Sequence, residues 1–156
     1  MVDVVSGTYS FLDVTAAWVG PGGSFTLEGT GLAKEGITIV ASEDKGSMTI
    51  GAGGDGMHSL KATRAGRVTV RLLKTGPGNA LLGALYNFQS QSSSQWGQNQ
   101  LTINNPVSGD NITCQAGAFV KEADVAYADE GGIMEWAFNF VQIDKILGNG
   151  FKPTGL

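Results

Sequence analysis

Apolar and polar residues alternate along several short stretches of this chain, and glycine or proline closes most of them. In "YSFLDVTAAWVG" (residues 9–20), Leu12, Val14, Ala16 and Trp18 share one face, and Phe11, Asp13, Thr15 and Ala17 the other. A period of two predicts a strand, and "GPGG" ends it. "GITIVASE" puts Ile37, Ile39 and Ala41 on one side, and "SMTI" predicts a short strand leading into a glycine run. "GRVTVRLLK" is the clearest alternation, with Val68, Val70 and Leu72 inward and Arg67, Thr69 and Arg71 outward. Later, Ile112, Cys114, Ala116 and Ala118 share a face, as do Met134, Trp136, Phe138 and Phe140. The period changes once. In "GPGNALLGALYNFQSQ", Leu81, Ala84, Leu85 and Phe88 follow helical spacing, with Asn79 placed as an N-cap. Six to eight strands and one helix predict a mainly β chain, a β-sandwich or partial barrel flanked by the helix. No internal repeat or domain boundary is evident.

Composition narrows the function classes. The 24 glycines show no G-X-Y period, so collagen is excluded, and they serve as turns between strands. Charged residues make up only 15%, below the usual quarter, which points to a chain that covers its surface against partners. The net charge of −4 gives no general electrostatic grip on nucleic acid. One cysteine, Cys114, precludes an intrachain disulfide, and with one histidine, His58, it also precludes a cysteine–histidine zinc site. The first residues lack a signal-peptide pattern and no apolar run approaches 18 residues, so a chain made in the cytosol is expected.

Residues 51–56, "GAGGDG", match G-x-G-x-x-G. A dinucleotide fingerprint also needs a helix opening within it and an acidic residue about 20 positions on. "MHSLKATRAG" has no helical stripe, and Lys74, Thr75 and Gly76 stand where the carboxylate belongs. A loop between strands is the expected role. His58, flanked by Met57 and Leu60, is expected to pack in that loop, with Asp55 three residues away. Cys114 is expected to behave as a small hydrophobe, Trp18 and Trp136 as core, and Trp96 as a pin for the loop after the helix.

Two charge clusters remain. Lys61, Arg64, Arg67, Arg71 and Lys74 lie mid-chain, and Glu122, Asp124, Asp129, Glu130 and Glu135 lie towards the end. They are either two solvated faces or complementary surfaces meeting between subunits. A nucleic-acid strip would need interleaved aromatics, which are missing.

"DVTAAWVGPGGSF", "GITIVASEDKGSMTIGAGGDGMHSLKA", "GRVTVRLLKTGPGNALL", "WGQN" and "GGIMEWAF" occur in this order over roughly residues 9–148. In these segments the chain resembles the phiTE-like tail tube proteins of contractile-tailed bacteriophages. The resemblance implies a single tail tube domain over residues 1–156, with an N-terminal arm to about residue 8 and a C-terminal extension from about 148. It implies a structural virion protein, not an enzyme, with no cofactor or metal. Its subunits would form hexameric rings that stack into a hollow tube, with inner strands forming one shared barrel. The implied partners are the chain itself, the sheath, baseplate or initiator, and tail terminator proteins. Tape measure protein and DNA would pass through the lumen without specific binding, in a virion tail assembled in the host cytoplasm. The loop over residues 43–60 would reach a neighbouring subunit. Asp44, Lys45, Gly51, Gly53, Gly54, Asp55, Gly56 and His58 are its candidate contacts. Arg64, Arg67, Arg71, Glu122, Asp124, Asp129 and Glu130 are the candidate charged contacts. A tailocin tube subunit fits equally, and a β-sandwich module binding a ligand or host surface is the alternative class.

Overall fold

The computed structural model describes residues 7–27 and 32–148. Most of the expected N-terminal arm and C-terminal extension lies outside them. The described chain forms nine strands and one α-helix. The strands are β1 (Thr15–Gly20), β2 (Gly23–Leu27), β3 (Leu32–Ala41), β4 (Gly46–Ile50), β5 (Gly56–Leu60), β6 (Gly66–Leu73), β7 (Asn99–Asn105), β8 (Asp110–Phe119) and β9 (Ile133–Ile146), and the helix α1 is Gly78–Gln89. Seven strands make one antiparallel sheet in the order β2-β1-β7-β8-β9-β6-β3, curled into a half-barrel. β4 and β5 form a separate two-stranded sheet. The mainly β fold with one helix is as expected, in its partial-barrel form.

The inner face is apolar because β6 and β9 alternate in phase with each other. Val68 pairs with Phe138, Val70 with Trp136 and Leu72 with Met134. The first five of these are buried, and Met134 packs against them half-buried. Trp18 from β1 meets Phe138 with ring centroids 4.2 Å apart, and Phe119 from β8 meets it at 4.6 Å. Each such aromatic, fully buried, contributes about 1.5–3 kcal/mol of transfer free energy, so this cluster dominates cohesion. Trp96 holds the segment after α1, as expected, edge-on to Tyr86 at 6.1 Å.

Four expectations need correction. Residues 11–13 do not continue β1 but form a 3-10 turn, Phe11–Asp13, because Ser10 Oγ accepts the Leu12 backbone N–H and starts a turn. This leaves Leu12 exposed. Asn79 does not cap α1. Pro77 is the N-cap, and Asn79 donates to the Leu73 carbonyl (2.8 Å) and accepts from Trp136 Nε1 (3.0 Å), tying the β6–α1 turn to the core. The helix buries Gly78, Leu82, Leu85 and Gln89, while Leu81 and Phe88 are exposed. Its inward face is turned by about one residue because Gln89 seeks a partner inside: it exchanges two 2.8 Å hydrogen bonds with Asn99 of β7, both side chains fully buried.

The fourth correction concerns β8. Cys114 faces inward, but Ala116 is exposed and Gly117 and Phe119 are buried. The phase flips at Ala116, whose φ is +54°, where the register with β7 shifts by one residue. Gly117 then lies under the Phe140 ring, so close that a Cβ there would fall 2.2 Å from a ring carbon. The absence of a side chain at Gly117 is what lets that ring into the core.

Candidate assembly interface

The glycine run is the turn of a hairpin. Gly51 N–H donates to the Asp55 carbonyl (2.7 Å) and Gly54 N–H to the Gly51 carbonyl (3.1 Å). Gly54 has φ +93°, a conformation that favours glycine, and no atom would meet a Cβ at Gly53 or Gly54. β5 follows where a dinucleotide site would need a helix, so the run is a strand-to-strand turn and not a phosphate cradle.

Register sorts the hairpin into two faces. Met48 lies opposite His58, Ile50 opposite Gly56 and Gly46 opposite Leu60. Because alternate residues share a face, Met48, Ile50, His58 and Leu60 line one side, and Ser47, Thr49, Met57 and Ser59 the other. Every residue of both strands is exposed. Met48, Ile50, Met57 and Leu60 retain 60%, 57%, 60% and 83% of their accessible surface. His58 is therefore not packed, contrary to expectation, because its flanking Met57 and Leu60 are themselves in solvent.

The foot of the hairpin is polar and tied down. Lys61 N–H donates to the Lys45 carbonyl (2.8 Å), and Ser42 N–H to the Ala65 carbonyl (3.0 Å). Lys45 Nζ donates to the Thr63 carbonyl (3.2 Å), and Lys61 pairs with Glu43 at 3.6 Å. Asp44 is exposed beside them. Arg64 pairs with Asp144 at 3.1 Å. These anchors fix where the arm leaves the sheet without covering its apolar face.

The charged candidates do not converge on one spot. Arg67 and Arg71 project from the outer face of β6, and Arg71 is engaged within the chain, with Glu135 at 3.8 Å and with Thr38 Oγ1 at 2.8 Å. Glu122, Asp124, Asp129 and Glu130 sit in the irregular segment between β8 and β9, where Lys121 pairs with Asp124 at 3.3 Å. That segment holds a feature the sequence reading missed. Lys74 lies over the Tyr127 ring at 4.0 Å and its Nζ donates to the Ala126 carbonyl. Only the pairing of an aromatic with a distant lysine could have signalled it.

Cys114 is buried, and burial pushes its thiol up from 9.0 to about 11, with nearby Lys145 lowering and Asp144 raising it. A thiol held protonated in this way is a packing group and not a nucleophile. Among the described residues no cluster of three or more histidine, cysteine or carboxylate side chains could hold a metal ion. No described helix is long and apolar enough to cross a membrane.

The described residues thus form a half-barrel sheet with one helix against it and a two-stranded arm whose side chains are all exposed. The family model described as bacteriophage PhiTE tail tube protein matches residues 6–148, and the chain belongs to that family. It is a structural protein of the phage tail and not an enzyme. No curated protein matches it in sequence. Among solved structures, it is similar in fold to a chain from the cryo-EM structure of the anti-feeding prophage baseplate, 6-fold symmetrised. The TM-score is 0.53 at 8% identity, covering 94% of this chain and 97% of that one.

Proposed function

We propose that this chain forms hexameric rings that stack into the hollow inner tube of a contractile phage tail, the conduit for DNA ejection. The observation that carries the reading is the hairpin: a two-stranded ribbon with an apolar face that no described residue covers gains stability by packing on something else. Sheet topology supports it. β2 and β3 end the described sheet with one side of each unpaired, and a closed ring covers such edges. Inner strands of successive subunits would then form a shared barrel. The six-fold symmetrised assembly that holds the structural relative supports a six-membered ring. The sheath outside, the baseplate initiator and the terminator at the ends, and tape measure protein or DNA inside complete the expected set of partners, and assembly takes place in the host cytoplasm. The low charge content and net charge of −4 suit a conduit that does not hold DNA. A tailocin would use the same subunit, and capsid genes beside this one distinguish a phage.

The test is light scattering of purified protein over a concentration series. Scattering should rise steeply above a threshold concentration, as for a polymer. A monomer at every concentration, binding glycan or host-surface extracts through Trp96, would support the binding-module reading instead.

A further inference from the structure

Asp55–Gly56 is the one Asp-Gly pair in the chain, and it sits where the hairpin turn hands over to β5. Ladder phase decides what the Gly56 amide does. In an antiparallel pair, positions that exchange hydrogen bonds alternate with positions that do not. The Lys61 N–H donates to the Lys45 carbonyl at the foot of the hairpin, and the Gly51 N–H to the Asp55 carbonyl at its tip. Counted from either bond, Ile50–Gly56 is a pair that exchanges none. The Gly56 N–H therefore points away from β4, and among the described residues no third strand lies beside β5 to receive it. Both residues of the pair are exposed, and the Asp55 carboxylate has no hydrogen-bond or ion-pair partner among the described residues. Gly56 also brings no Cβ to crowd its own nitrogen.

We propose that Asp55–Gly56 is a site of spontaneous covalent modification, the isomerisation of aspartate to isoaspartate. The Gly56 nitrogen attacks Asp55 Cγ and a C–N bond forms. One carboxyl oxygen leaves as water, taking the carboxyl proton and the amide proton, and a five-membered succinimide closes. Water then adds back at one of the two ring carbonyls. Breaking the new bond to Cγ restores aspartate. Breaking the original peptide bond instead leaves the chain running through Cβ and Cγ, with the former backbone carbonyl as a free carboxylate. Nothing is oxidised or reduced, and water is the only co-reactant. Nucleophile and carbon already share one chain, so the rate depends on whether the fold leaves the amide free to reach Cγ. The ladder phase leaves it free here, whereas the amide of a hydrogen-bonded pair would be withheld. The product adds one methylene to the main chain and takes the Asp55 carbonyl out of it, so the bond from Gly51 at the hairpin tip is lost. No buried side chain of β4 or β5 is disturbed, because neither strand has one. This inference goes beyond the tube reading and does not depend on it.

Trypsin releases residues 46–61 as one peptide in which Asp55 is the only aspartate and no asparagine occurs. The test ages the intact protein, held as monomer by dilution, in neutral buffer beside the free peptide. Both are then followed by liquid chromatography and mass spectrometry against unaged samples. The aged protein should yield a second peptide of unchanged mass, with isoaspartate at Asp55 shown by electron-transfer fragmentation, and a transient form lighter by one water. Its rate should lie within about tenfold of that of the free peptide, since the hairpin does not hold the amide. Gly56→Ala tests the nucleophile without unfolding the arm, because the added Cβ would meet only Ile50 Cδ1, at 3.6 Å. It should slow the reaction about tenfold or more, by crowding the attacking nitrogen. Asp55→Glu should abolish it. Hydrogen exchange at the Gly51 amide should quicken in the isomerised fraction alone. An isomer that grows in the free peptide and not in the intact monomer would show that the hairpin withholds the amide, and would overturn the proposal. Equal rates in wild type and Gly56→Ala would overturn it as well.

Discussion

Gln89 and Asn99 show how one pair of side chains sets the position of a whole element. Two fully buried amides satisfy each other, and Gln89 also donates to the Pro21 carbonyl at 3.0 Å. Asn99→Ala should therefore cost about 1–3 kcal/mol in urea unfolding, because it strands the Gln89 amide without its partner. Cys114 gives a prediction in pH. Its folded-state pKa is raised to about 11, so above the ordinary 9.0 the unfolded chain releases a proton that the folded chain keeps. Stability then falls as pH rises from 9 to about 11, and Cys114→Ala should show a shallower decline over that window in parallel thermal melts. The native protein should also resist alkylation by iodoacetamide at pH 8 and react only when unfolded. By contrast, Arg71→Ala removes a pair whose carboxylate is largely exposed, and should change stability by no more than about 1 kcal/mol.

Elements were legible in the sequence where one face is buried and the chain is regular. The phase of β6 and most of β9 follows directly from Val68, Val70 and Leu72 and from Trp136, Phe138 and Phe140. The turn at "GPGG" and the existence of a single α-helix were equally plain. The buried face of α1 was not, because a glutamine in the pattern reads as surface until its partner ten residues away is known. The flip in β8 was hidden because Gly117 has no side chain to mark which way it points, and the deciding group, Phe140, lies on another strand. β5 was missed for a different reason: with both faces in solvent, "MHSL" has no core against which its alternation could be read. The hairpin's independence has a testable consequence. Replacing residues 46–60 by a short Gly-Ser turn removes no buried side chain, so the melting temperature should stay within a few degrees of wild type while polymerisation is lost. A collapse of the melting temperature would show that the arm packs on its own subunit.

For the whole molecule, the sequence segments carrying the tail tube resemblance and the family match cover nearly the same span, from residue 6 or 9 to 148. Which surfaces meet was not legible, because an assembly contact is a relation between faces that are distant in the chain. The charge clusters illustrate this. In sequence they look like two complementary blocks, whereas in the fold Arg64 pairs with Asp144, Arg71 with Glu135 and Asp124 with Lys121, so members of both blocks have partners within the chain. Low charge content, open sheet edges and a bare apolar arm are each ordinary liabilities in a monomer. On the proposed tube reading, copies of the same chain cover these surfaces. Negative-stain electron microscopy of the purified protein at low and high concentration tests that claim most directly. The account predicts six-membered rings at low concentration and hollow tubes of uniform diameter at high concentration. A field of single small particles at every concentration would contradict it.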